Sequence, residues 1–329
     1  MFNSSFAREM TDYLELRTAV LSASSASNDR RVLLLLDQYL VLSGFQGKEL
    51  TEDILSAWSK TLSGKSKTVK EKLAVVRGFG KYLNTLGHQS FLPTLPKVKS
   101  DYIPYIFSDE EIVSIFHYAD NLTPQNPRSC SSFFQLKIPM ALRILYSCGT
   151  RLQETMSLQR KDVDFKNRTL FLKKTKFSKE RVIPVHESLI AVMERYCLTL
   201  GIMHEPEAFL FPGRKEGSHY TTRQMDSWFS EILKLADIDQ RERDCHERGA
   251  CLHCFRHLFV LKSMQQLEAA GHSVDMNDLL LPTYLGHECL LDTDKYMRFS
   301  GGQVAVAIDA FESFTSGLIP DVEVPYEEE

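Results

Sequence analysis

Up to about residue 90 the apolar positions return every third or fourth residue, as at Val32, Leu35, Leu36, Tyr39 and Leu40. That is the period of helices buried along one side. Thr51 opens a further helix with acids in its first turn. After Ser63-Gly64-Lys65-Ser66-Lys67 a long helix sets Leu73, Val76, Phe79, Tyr82 and Leu83 on one face and Lys70, Arg77 and Lys81 on the other. Pro93, Pro96 and Pro104 then fall between Phe91 and Tyr105, a stretch that cannot run as continuous helix and reads as a linker. Ser108 with Glu111 three residues on is a capping box, so a second domain starts there.

Helical pattern continues from Ser108 through Asn121 and from Phe133 to Cys148. One β signal follows. Val163 to Leu172 holds a turn at Lys166-Asn167 with an apolar strand after it, and Arg181 to Val185 is a short strand beyond a basic turn. Helical periodicity returns over Leu189–Leu200, Thr222–Ala236, His253–Ala270 and Val304–Phe314, with no internal repeat. The expected fold is mainly α, with a helical first domain over 1–92, a linker over 93–106, a mostly helical second domain with a small antiparallel sheet over 107–315, and an acidic tail over 316–329.

The 329 residues, 43% of them apolar, suffice for two cores. No apolar run approaches the roughly 20 residues of a bilayer span, since Val32 to Leu36 stops at Asp37. Arg8, Glu9, Asp12, Glu15 and Arg17 stand where a secretory signal needs a continuous apolar stretch, so a cytoplasmic protein is expected. Seven cysteines scattered over this length point to reduced thiols or a metal rather than a disulfide framework. The net charge of −4 taken alone argues against a polyanionic partner, but Asp321, Glu323, Glu327, Glu328 and Glu329 supply more than that deficit. From Lys60 to Lys81 seven Lys/Arg face Glu71 alone, and from Arg143 to Arg181 eleven face four acids. Such local patches are electrostatic footprints that a net charge hides.

Several polar residues sit where elements end. Arg151 follows Gly149-Thr150, with Glu154 three residues on; Lys176 lies in the basic turn; His253 and Arg256 share a helix start; His287 follows Leu285-Gly286, and Tyr296 comes nine residues later. Each alone has an ordinary reading as a surface pair, a structural histidine or a core tyrosine. In this order they resemble the tyrosine recombinase (phage integrase) family, particularly its Xer-like two-domain members. The boxes are Gly-Thr-Arg151-Leu-Gln-Glu154, Lys176-Phe-Ser-Lys-Glu-Arg-Val-Ile-Pro184, His253-Cys-Phe-Arg256-His257, Leu-Gly-His287 and Tyr296. The resemblance covers nearly the whole chain and makes the first domain a core-binding domain that clamps DNA together with the second.

It implies a site-specific recombinase or integrase that stores a broken DNA bond as a 3′-phosphotyrosine on Tyr296. Arg151 and Arg256 would grip the non-bridging phosphate oxygens, with His287 as a third donor. Lys176, preferred over Lys173, Lys174 and Lys179 for its distance to Glu180-Arg181 and Pro184, would protonate the departing 5′ oxygen; His253 would assist proton transfer, and Glu154 would orient Arg151. No cofactor is needed for this exchange of near-equal bonds. Lys65, Lys67, Lys70, Arg77 and Lys81 are expected against DNA phosphates, and Arg223 and Gln224 against base edges. The implied partners are double-stranded recombination sites with inverted repeats, in a nucleoid-associated homo-tetramer joined by exchange of a C-terminal helix carrying Val304, Ile308, Phe311 and Phe314 after Gly301-Gly302. Cys245, Cys251 and Cys254 depart from the family pattern: Cys251-Leu-His-Cys254 has zinc-knuckle spacing, with His246, His257, His272 or Cys289 as candidate fourth ligand. Rival readings are a type IB topoisomerase, which shares the chemistry as a monomer, and a zinc-stabilised DNA-binding regulator without activity.

Overall fold

In a computed structural model the chain divides into two compact units, Met1–Asp101 and Tyr102–Glu329. Residues 2–98, 104–123, 133–173, 180–239, 249–269 and 283–285 are described. Lys176, Cys245, His246, His272, His287, Cys289, Tyr296 and the expected helix over Val304–Phe314 lie outside them.

The first unit is built from α1 (Ala7–Val20), α2 (Ala23–Leu42), α3 (Glu52–Thr61) and α4 (Ser66–Thr85). Ser22 and Thr51 cap α2 and α3 by accepting the backbone N–H of Ser25 and Ile54, satisfying donors that the first turn leaves without partners. The core collects Phe6, Met10, Leu33, Leu36, Leu40, Trp58, Val76 and Phe79. Along α2 the expected face needs correction: Leu35 is 40% exposed, whereas Leu33 is fully buried. A run of consecutive apolar residues cannot reveal which of them faces inward, because any helical register through it looks apolar. Asp37, also buried, accepts from the backbone N–H groups of Asn3 (3.1 and 3.0 Å) and Ser4 (2.8 Å) and so pins the chain ahead of α1. Buried Asp29 pairs with Arg17 at 2.9 Å.

In the second unit α5 (Asp109–Asp120) begins with the expected capping box of Ser108 and Glu111. Next come α6 (Phe134–Cys148), the single-turn α7 (Leu152–Met156), β1 (Val163–Asp164), β2 (Thr169–Leu172), β3 (Arg181–Pro184), α8 (Glu187–Thr199), α9 (Thr222–Leu235) and α10 (His253–Ala269). Helix α6 is central: Ile138, Ala141, Leu142, Ile144 and Leu145 are buried, and α5, α8 and α10 pack around it. The strands form one antiparallel sheet in the order β1-β2-β3, with Val163 opposite Leu170 and Leu170 opposite Ile183. Leu170, Leu172 and Ile183 alternate into the core from its inner face. Among the described residues no helix is long and apolar enough to cross a membrane.

Candidate active site

The site is assembled on the C-terminus of α6. Gly149 ends that helix in the left-handed conformation (φ 57°), and its N–H bonds the Leu145 carbonyl at 3.1 Å. A Cβ here would lie 2.4 Å from the Phe259 ring on α10, so glycine is required both by the dihedral angle and by the close approach. Turning the chain at Gly149 frees its carbonyl and delivers Arg151 to the start of α7. The hydroxyls of Thr150 and Thr155 bond at 2.7 Å across this turn.

Glu154 holds the turn from below. One carboxylate oxygen accepts from Arg151 Nη1 at 2.8 Å, and the other accepts from the Arg151 backbone N–H at 3.0 Å. Arg181, the first residue of β3, donates Nη1 and Nη2 to the same two oxygens at 3.1 and 2.8 Å. Burial would by itself push the Glu154 carboxyl upward, yet the bonds and charge from Arg181, with those from Arg151, outweigh it and hold the group below its ordinary value. Glu154 is 4% exposed and stays ionised, while Arg151 keeps 25% of its side chain accessible.

Arg256, in the first turns of α10, is 2% exposed. Its Nη1 donates to the Gly149 carbonyl and its Nη2 to the Leu285 carbonyl, both at 2.8 Å. The two arginines of the first and third boxes therefore meet on one three-residue segment, Gly149 to Arg151. Tyr284, beside Leu285, donates its hydroxyl to the Cys148 carbonyl at 3.2 Å, and its own carbonyl accepts from Arg181 Nε at 2.8 Å. Exposed His253 opens α10, with its ring centroid 4.7 Å from that of His257. Burial, then the charges of His253 and Arg256, push the His257 imidazole down to about 3, so it is neutral at physiological pH.

Of the four lysines of the basic turn, Lys173 is described and is committed to buried Asp162. Lys65, Lys67 and Lys81 are exposed at and along α4 and Lys70 is half-buried. Arg77 differs from them: it is half-buried and donates to the carbonyls of Leu92 (3.3 Å) and Pro93 (2.7 Å). Arg223 is exposed on the first turn of α9, whereas the side-chain oxygen of Gln224 is bonded to the N–H and hydroxyl of Thr221 in a capping box. The oxygen of Gln224, expected at base edges, thus also completes a helix cap. Cys251 and Cys254 place their sulfurs 3.6 Å apart, close to the roughly 3.7 Å separating two thiolates on one tetrahedral zinc with 2.3 Å bonds. Among the described residues no group of three or more His, Cys, Asp or Glu is arranged around a metal.

Residues that sequence reasoning passed over are Arg181, which served only as a spacing mark, and Tyr284. An arginine at the head of an expected strand, five residues after Lys176, was the available signal for the first; Tyr284 bonds Arg181 through its backbone carbonyl, which no side-chain pattern reveals.

Residues 106–299 match the phage integrase family. The integrase/recombinase y4rE of Sinorhizobium fredii is 27% identical over 243 residues, covering 71% of this chain and 74% of that protein. Tyrosine recombinase XerC of Staphylococcus saprophyticus is 28% identical over 276 residues, covering 83% of each. The same fold is found in the XerH site-specific recombinase bound to palindromic difH substrate in a post-cleavage complex (TM-score 0.66, 18% identity, 88% of this chain and 80% of that one). A helical unit with one small sheet, two arginines joined at a helix end, and these matches together define a tyrosine site-specific recombinase. The chain belongs to the phage integrase family, whose match spans more than half of it.

Proposed function

We propose that this chain binds double-stranded DNA at inverted-repeat sites and opens and reseals it through a 3′-phosphotyrosine on Tyr296. The observation that carries this reading is the convergence of Arg151 and Arg256 on the Gly149–Arg151 segment. A phosphodiester under in-line attack gathers charge on its non-bridging oxygens, and two oriented guanidiniums stabilise that charge without reorganising during the step. The Tyr296 oxygen bonds to phosphorus as the bond to the 5′ oxygen breaks. Lys176 gives that oxygen its proton, His253 assists removal of the tyrosine proton, and His287 adds a donor to the phosphate. The reverse steps, with a 5′ hydroxyl from the partner strand, reseal the bond, so no nucleotide or catalytic metal takes part. Lys65, Lys67, Lys70, Lys81 and Arg223 supply phosphate contacts in the cytoplasm or nucleoid, at mobile-element ends or resolution sites. Four chains join on paired sites through the C-terminal segment bearing Val304, Ile308, Phe311 and Phe314.

Tyr296→Phe tests the central step, because only the hydroxyl is lost. The variant is expected to bind DNA as the wild type does and to leave no covalent protein–DNA adduct on denaturing gels. An adduct that survives the change moves the nucleophile elsewhere and defeats this reading.

A structural zinc on Cys251 and Cys254, with Cys245 as a further ligand, fits the sulfur spacing and leaves His253 to the chemistry. Protein purified without chelator is then expected to carry about one zinc per chain, and Cys254→Ser to lose it together with stability. Metal analysis finding none returns these thiols to a packing role.

A further inference from the structure

A closed circuit runs through the site. From Gly149 the chain leads to Arg151; Arg151 is held by Glu154, and Glu154 by Arg181. Arg181 Nε is held by the Tyr284 carbonyl, the next carbonyl along, that of Leu285, holds Arg256, and Arg256 returns to the carbonyl of Gly149. Arg181 is the one side chain in this circuit to which the mechanism gives no task. It is also the member that joins the two arginines' supports to each other, and it stands five residues after Lys176 at the head of β3.

We propose that Arg181 is a positioning residue for strand cleavage, sharing the Glu154 carboxylate so that Arg151 is aimed without being neutralised and fixing, through the Tyr284 carbonyl, the backbone that orients Arg256. Charge counting gives the first half. One buried carboxylate shared by two guanidiniums leaves a net positive charge at Arg151, the more accessible of the two, with 25% of its side chain exposed against 12% for Arg181. Without Arg181 the carboxylate would be left to Arg151 alone, and the pair would be neutral where the phosphate must be gripped; in surroundings of low dielectric that difference is felt strongly. Geometry gives the second half. A planar guanidinium that spends two nitrogens on Glu154 and the third on Tyr284 O has no rotational freedom left, so the Tyr284–Leu285 backbone is set relative to β3. Lysine can replace the charge but cannot make all three bonds.

This inference rests on the strand-cleavage reading above, and the experiment separates the two. The probe is a duplex selected from a random-sequence pool for binding to the full-length wild-type chain, with the scissile phosphate located from the wild-type covalent adduct. Arg181→Gln, Arg181→Lys, Glu154→Gln and the double variant Glu154→Gln/Arg181→Gln are compared with wild type for DNA affinity and for the rate of adduct formation at saturating protein. Expected is a loss of about 30-fold or more in rate for Arg181→Gln, of the order seen when an oriented donor is disturbed, with affinity changed less than about threefold. Arg181→Lys is expected to recover part of the rate. When a methylphosphonate removes the charge from the scissile phosphate, the loss is expected to shrink to within about threefold, because an uncharged centre makes no demand on Arg151. The double variant is expected to be no slower than the slower single one, the mark of residues acting along one path.

A wild type that binds the duplex and leaves no adduct overturns the cleavage reading and this inference with it. A wild type that cleaves while Arg181→Gln cleaves as fast, or loses the same factor on the methylphosphonate, or adds its full loss to that of Glu154→Gln, overturns the role of Arg181 alone. Should Arg181→Gln fail to fold by circular dichroism, the methylphosphonate ratio of Arg181→Lys decides in the same way.

Discussion

In the first unit the buried charges are the carboxylates of Asp29 and Asp37, while in the second the fully buried charged side chains of greatest volume are Arg256 and Lys137. Asp37 is satisfied by N–H groups of the chain's own beginning and Asp29 by Arg17. Both anions act as local stitches; Lys65, Lys67 and Lys81 of that unit stay in solvent, and Arg77 is only half-buried against the Leu92 and Pro93 carbonyls. In the second unit two cations are fully inside and backbone carbonyls hold them: Gly149 and Leu285 for Arg256, Pro212 for Lys137 at 2.9 Å. A carbonyl orients a cation without cancelling its charge, which a carboxylate would do. Burying a cation is costly unless it is well bonded, and the second unit does so at a helix end, where the proposed function puts a phosphate. The other unit is equipped to present a charged surface.

The comparison can be broken most forcefully at a glycine in each unit. Gly149→Ala is expected to cost about 3 kcal/mol, from a left-handed residue and a clash with the Phe259 ring, and to slow cleavage by displacing the carbonyl that holds Arg256. Gly78→Ala, inside α4, would meet only the Tyr13 hydroxyl at 2.7 Å and gains helix propensity; a change within about 1 kcal/mol is expected. Hydrogen exchange resolved by segment measures both, and equal losses would sink the contrast.

Asp37→Asn follows in size. It should cost the first unit about 1–2 kcal/mol by weakening the bonds to Asn3 and Ser4, with faster exchange ahead of α1 and unchanged protection in α6. A loss spread over α6 as well would show that these carboxylates are more than local stitches.

The smallest effect sharpens the picture of the buried cations. Burial pushes the Lys137 amine below its ordinary value of 10.5. Between its folded and ordinary values the unfolded chain binds the proton more tightly, so wild-type stability gains from this group as pH rises through that window and loses as it falls. Lys137→Met is expected to be more stable than wild type by about 1 kcal/mol at pH 7, with the gap narrowing toward pH 10 in denaturant titrations. A gap independent of pH would mean that Lys137 titrates as though exposed.

The amino-acid sequence by itself determined the local features of this protein. Helical period marked α3, α4 and α5; Ser108 and Glu111 marked the start of α5, and the turn at Lys166-Asn167 marked the antiparallel sheet, because each depends on residues a few positions apart. The order of boxes likewise singled out Arg151, Glu154, His253 and Arg256. One local signal went unread: Thr221 and Gln224 carry the same cap as Ser108 and Glu111. What only the tertiary structure decided is who holds whom. Arg256 finds its acceptors 107 and 29 residues away, Glu154 shares its charge with an arginine 27 residues on, Arg77 turns to carbonyls beyond its helix, and Leu33 rather than Leu35 faces the core. Periodicity is a property of neighbours along the chain, whereas pairing of a buried charge is settled by whichever polar groups the packed core brings within 3 Å, and no spacing in the sequence encodes that.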